Sequence, residues 1–123
     1  MLDQLSQLEV AKRVIPTTQA PLNTSSVLIM GHSLGGATAA EAMLVDGRLV
    51  GGVDLDGTLW GEVVKKGLSK NRPFILFGHE GKNQSTDSSW EETWGRLKGW
   101  KRELELLGSQ VCTSWGDKLW DLY

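Results

Sequence analysis

Apolar residues recur at steps of three and four over the start of the chain, at Leu2, Leu5, Leu8, Ala11 and Ile15. That spacing predicts an amphipathic helix over 2–15, ended by Pro16. Residues 16–26 are polar and turn-forming, so they read as a connection. Val27–Met30 is apolar without alternation, the pattern of a strand covered on both faces. A glycine-rich turn over 31–36 leads into Ala37–Val45, whose helix-forming composition stops at Asp46 and Gly47. Leu49–Leu55 predicts a second strand, and Phe74–Phe77, introduced by Pro73, a third. Between them, Trp60–Leu68 reads as a short helix or a lid-like loop. Ser88 and Glu91 then form a capping-box pattern. After it Trp90, Trp94, Leu97, Trp100, Leu104 and Leu107 recur at helical steps, with Gly108 as the stop. The tryptophans of that stripe are expected to pack on the sheet rather than to face lipid. Strands separated by helices predict a parallel α/β sheet of about three to four strands flanked by helices.

Composition narrows the class. A chain of 123 residues, 40% hydrophobic and 23% charged, is expected to form one small globular domain. The period divides it into a domain over 1–110 and a C-terminal tail over 111–123 without firm periodicity. With 13 Lys+Arg against 15 Asp+Glu the net charge is -2, which leaves no basic surface for nucleic acid. No run is long and apolar enough for a transmembrane segment, and the first residues lack the pattern of a signal peptide. The single cysteine, Cys112, excludes an internal disulfide and a Cys-rich metal site, and reads as a buried or tail residue. No motif asks for a cofactor or metal.

Candidate chemistry begins at Gly31-His32-Ser33-Leu34-Gly35, a G-x-S-x-G sequence. It follows an apolar strand and opens an alanine-rich helix, which is the setting of a nucleophile elbow. In such a turn Ser33 Oγ is aimed out of the sheet, and Gly31 and Gly35 are expected to leave room where a Cβ would collide. The helix start favours negative charge beside the serine, and the Leu34 N–H is the natural oxyanion donor. A serine nucleophile needs a base, and the base needs an orienting carboxylate. Asp56 ends the second strand, on the rim where α/β sheets carry their sites. Asp54, two residues earlier and on the same face of the strand, is its competitor.

The run Gly31-His32-Ser33-Leu34-Gly35-Gly36-Ala37-Thr38, followed by Gly52-Val53-Asp54-Leu55-Asp56-Gly57, resembles the platelet-activating factor acetylhydrolase family of α/β hydrolases. The resemblance extends through Pro73–Gly78 and Gly99–Leu104. It implies a partial α/β-hydrolase fold and a serine esterase acting on short-acyl phospholipids or related small-molecule esters, with no cofactor. By motif, Ser33 would be the nucleophile and Asp56 the acid. Cutinase-like polyester hydrolases share the elbow and form the alternative within the same reaction class.

The same resemblance implies a catalytic histidine close to Gln110–Cys112, where the sequence carries none. Of the two histidines present, His32 precedes the nucleophile and is expected to pack the elbow. His79 follows the third strand, on the correct rim and in the correct chain order. It is the candidate replacement base, against the plainer reading of an exposed loop histidine beside Glu80. No strand is expected before residue 27, so the second oxyanion donor has no visible source. The chain therefore reads as the C-terminal portion of such a hydrolase. A catalytically incomplete fragment or binding module is the competing expectation, with no imidazole poised on the acid. Trp60, beyond Asp56, is a candidate for lining an acyl pocket.

Overall fold

The computed structural model describes residues 2–110. Its elements in chain order are α1 (Leu2–Leu5), α2 (Leu8–Val14), β1 (Val27–His32), α3 (Leu34–Val45), β2 (Leu49–Leu55), α4 (Glu62–Lys66), β3 (Phe74–His79), α5 (Ser88–Trp94) and β4 (Lys101–Leu106). The four strands form one sheet in the order β1-β2-β3-β4, and every pairing is parallel. This is the α/β architecture that the alternation of strands and helices predicts.

The core lies on one face of the sheet. Ala37, Ala40 and Met43 of α3 pack there against Phe74 and Leu76 of β3, with Leu59, Val63, Leu68, Trp90 and Leu97 closing the far side. Gly52 lets α3 come this close, since a Cβ on it would stand 2.6 Å from the Met43 sulfur. The opposite face stays open among the described residues. Leu28 and Met30 of β1 are 77% and 65% exposed there, and Leu104 and Leu106 of β4 are exposed on the same side. A shallow apolar hollow of about 390 Å³ runs across it between Leu28, Val53, Ile75 and Trp100.

Three expectations change. The helix over 2–15 is two helices, because Ser6 Oγ turns back to accept a local role, donating to the Asp3 carbonyl at 2.7 Å, and Gln7 is extended. The cap of α5 is Asp87 rather than Ser88: its carboxylate accepts the Ser89 N–H at 2.9 Å. The largest correction concerns the stripe from Trp90 to Leu107. The helix ends at Trp94, and Lys101–Leu106 is a strand laid against β3. Helix-forming residues there become the edge of a sheet, because ladder hydrogen bonds to β3 outweigh propensity. Their alternating charges suit an edge strand. Trp90 is fully buried and Trp94 packs on the core, but Trp100 is half exposed, so the three do not form one stripe. The tail over 111–123, with Cys112 and the Gln110–Cys112 position of the expected histidine, lies outside the described residues apart from Gln110.

Candidate active site

Parallel strands deliver their carboxyl ends to one rim. The ladder continues just past the strands: the Ser33 N–H donates to Leu55 O at 2.8 Å and the Asp56 N–H to Phe77 O at 2.8 Å. Ser33, Asp56 and His79 thus stand on successive strand ends.

Among the described residues, two that are not glycine have positive φ, and both are candidate site residues: Ser33 (φ 53°) and Asp56 (φ 61°). Such backbone strain costs on the order of 1–3 kcal/mol per residue and persists only where the surroundings impose it. At Ser33 the imposition is visible. A Cβ on Gly31 would lie 2.2 Å from the Gly35 carbonyl group, so β1 and the start of α3 approach as closely as backbones can. Gly35 itself faces open space, contrary to expectation, and Gly36 does the work assigned to it: its Cβ would fall 1.8 Å from Asp54 Oδ1. Leu34 is the first residue of α3, so its N–H has no intrahelical acceptor and remains available at the rim.

The positive φ at Asp56 also separates the two aspartates. Asp54 and Asp56 do not share a face. Asp54 turns inward and is fully buried, accepting the Gly57 N–H at 2.9 Å and lying 3.2 Å from Trp90 Nε1. Burial pushes its carboxyl up to about 7, against the opposing pull of the Gly57 and Trp90 hydrogen bonds. Asp56 swings to the rim and meets His79. Its Oδ1 lies 2.5 Å from His79 Nδ1 and accepts the His79 backbone N–H at 3.2 Å. His79 closes β3 and is largely covered, rather than an exposed loop residue, and its imidazole does reach the acid. A carboxylate beside Nδ1 favours an N–H there, which in a neutral imidazole leaves Nε2 with the lone pair. Among the described residues Ser33 Oγ makes no hydrogen bond, to His79 or elsewhere, and the serine is exposed.

Around this pair lies a cavity of about 240 Å³, lined by His32, Leu55, Asp56, Phe77, His79 and Leu106. It sits at the carboxyl end of the open face, where the register sets His32 beside Leu55, Leu55 beside Phe77, and Phe77 beside Leu104. Trp60 is not part of it; that side chain edges a separate depression with Leu59, Val64 and Ser89. Behind the rim, Lys82 donates to Asp87 at 2.7 Å, and Thr58 Oγ1 donates to the same carboxylate at 2.9 Å. Burial acts upward on Asp87, but its bonds from Lys82, Ser89 and Thr58 outweigh that and hold it at about 2. This network ties the loop after β2 to the loop after β3. Sequence reasoning did not find it, since its members are far apart in the chain and common in turns. Among the described residues no cluster of His, Cys, Asp and Glu could hold a metal ion, and no helix is long and apolar enough to cross a membrane.

A strained serine between a parallel strand and a helix, with an aspartate on the next strand end, calls for comparison with known hydrolases. The family model for platelet-activating factor acetylhydrolase, isoform II, matches residues 11–90. The chain belongs to this family. The match runs from α2 into α5 and so includes Ser33, Asp56 and His79. A probable 1-alkyl-2-acetylglycerophosphocholine esterase of Arthroderma benhamiae is 37% identical over 86 residues, covering 63% of this chain and 22% of the relative. A ferulic acid esterase from Streptomyces cinnamoneus, of solved structure, superposes with a TM-score of 0.64 at 32% identity, over 85% of this chain and 28% of its own. Both of these similar proteins are esterases by name, and the fold shared with the second is that of a parallel sheet flanked by helices. The chain spans about a quarter of the length of either.

Proposed function

We propose that this acetylhydrolase-family chain carries the centre of a carboxylic ester hydrolase, with Ser33 as nucleophile, His79 as base and Asp56 as the acid that orients it. The observation that carries the reading is the 2.5 Å contact between His79 Nδ1 and Asp56 Oδ1. It leaves Nε2 as the proton acceptor, the tautomer a serine hydroxyl requires. Ser33 Oγ attacks the ester carbonyl, and its proton passes to His79 Nε2. The Leu34 N–H at the start of α3 stabilises the developing oxyanion. Collapse returns the proton to the departing alcohol, and water then releases the acid by the reverse sequence. The match to the platelet-activating factor acetylhydrolase model and a relative named a probable 1-alkyl-2-acetylglycerophosphocholine esterase support an ester with a short acyl group. Short-acyl phospholipids and related small esters are therefore the substrate class.

A second reading is favoured by one observation: Ser33 Oγ makes no hydrogen bond to His79 among the described residues. In that reading the chain binds such esters without turning them over. Hydrolysis of p-nitrophenyl acetate decides between them. Turnover by the native sequence is expected to vanish in Ser33→Ala and to fall by about 10³-fold or more in His79→Gln, since triad members act as a unit. Turnover unchanged in His79→Gln would remove the histidine from the mechanism. Saturable binding of the ester with no turnover at all would leave only the binding module.

A further inference from the structure

A fully buried carboxylate stands behind the rim and takes no part in the chemistry proposed above. Asp54 lies at the centre of three approaches. Its Oδ1 accepts the Gly57 N–H at 2.9 Å, across the turn that contains Asp56. Its Oδ2 faces Trp90 Nε1 of α5 at 3.2 Å, while the same indole N–H also donates to Gly57 O at 2.7 Å. Its carboxyl group fills the space beside Gly36, in the first turn of α3, where a Cβ would be 1.8 Å away. One side chain therefore touches the helix start behind Ser33, the residue after Asp56, and the helix that covers the core.

The geometry points to Asp54 as a positioning residue: its carboxylate holds the Asp56–Gly57 turn in the left-handed conformation that swings Asp56 onto His79. A strand continuing in β geometry would send residue 56 back to the face of residue 54, away from the rim. The φ of 61° at Asp56 prevents this, and a non-glycine residue stays there only if neighbouring contacts impose it. The Gly57 N–H donates to the Asp54 carboxylate three residues back and so closes that turn, a local bond between side chain and backbone. Burial strengthens the constraint, since an amide left without its acceptor in a dry site is costly. Trp90 then clamps the turn from below through Gly57 O. A Cβ at Gly57 would meet both Asp54 Oδ1, at 2.3 Å, and the Ser33 carbonyl, at 2.5 Å, so the turn is packed against the serine segment too.

This inference rests on the catalytic reading for its consequence, but its test does not. The experiment is imidazole nitrogen–proton NMR on the full chain, with His79→Gln assigning one of the two histidines. The native sequence is expected to show His79 as the Nδ1–H tautomer with its Nδ1 proton shifted downfield by the carboxylate. Asp54→Asn keeps a carbonyl oxygen for the Gly57 N–H and is expected to retain that signature. Asp54→Leu has nearly the same shape without an acceptor and is expected to lose it while remaining folded. An unchanged His79 signature in a folded Asp54→Leu overturns the proposal. Should the leucine variant fail to fold, hydrogen exchange of the Gly57 amide in the native sequence decides instead. Protection well above that of neighbouring loop amides supports the role, and exchange at the rate of an open loop overturns it. Where ester turnover is measurable, kcat is expected to fall about tenfold or more in Asp54→Leu with KM little changed, as for lost orientation. A chain without turnover would defeat the catalytic reading and leave the imidazole measurement intact.

Discussion

At the residue scale, two aspartates of one strand end behave as different chemical species because one backbone torsion separates them. Asp56 meets an imidazole at the rim, while Asp54 is sealed beneath it with its carboxyl pushed up to about 7 by burial. The folded protein thus holds the Asp54 proton more tightly than the unfolded chain, whose aspartates release theirs near pH 3.9. Below about pH 4 the group is protonated in both states and adds no pH dependence. Between about pH 4 and 7 the unfolded state alone has ionised, so stability falls as pH rises, by a total of order 4 kcal/mol. Thermal melts across that window are expected to show the decline, and Asp54→Asn to flatten it. Equal slopes in both proteins would mean that Asp54 is not the group responsible. The charges of Lys82 and Asp87 also act on the Asp54 carboxyl, Lys82 lowering it and Asp87 raising it. Asp87 is held at about 2 and contributes stability that disappears only as pH falls from about 4 towards 2.

At the scale of elements, the start of α3 distinguishes two neighbouring glycines that look alike in the sequence. A Cβ at Gly35 meets nothing within 4 Å, whereas one at Gly36 meets Asp54 Oδ1 at 1.8 Å and Gly31 O at 2.9 Å. Gly36→Ala is therefore expected to destabilise the fold by about 1–3 kcal/mol, as overpacking does. Gly35→Ala is expected to be neutral or to add about 0.5–1 kcal/mol through helix propensity and a less flexible unfolded chain. Urea unfolding midpoints of the two variants check this, and a reversed order would defeat the account of the turn. The segment after α5 carries a different lesson. Leu97, Trp100, Leu104 and Leu107 keep helical spacing, yet 101–106 is a strand, because β3 offers a parallel edge and helix formation offers only local bonds.

For the molecule as a whole, the asymmetry of the sheet is the dominant feature. Among the described residues, one face carries the core and the other leaves Leu28, Met30, Trp100 and Leu104 exposed. Contiguous apolar surface of this kind favours association. Sedimentation equilibrium of the native sequence is expected to give an average mass that rises with concentration. The double variant Leu28→Lys, Met30→Lys is expected to abolish that rise, and a mass independent of concentration in the native protein would refute the expectation. The cavity at the rim opens onto the same face, so the site and the exposed surface adjoin.

The strand–turn–helix around Ser33, β2 with its rim aspartate, β3, and the parallel class were all legible from the sequence. Each is written in local terms: apolar runs, glycines at a tight turn, a carboxylate at a strand end. The family was legible for the same reason, since its motif is contiguous. What only the tertiary structure decided depends on groups that meet across strands. The periodicity of 90–107 could not reveal that β3 had a free edge for 101–106. Nor could it reveal that Asp56 turns one way and Asp54 the other, a choice made by one torsion and by contacts with Gly36, Gly57 and Trp90. The Asp56–His79 pair is of the same kind. A histidine at a strand end and an aspartate at another are ordinary alone, and parallel register, with the positive φ at Asp56, brings them to 2.5 Å.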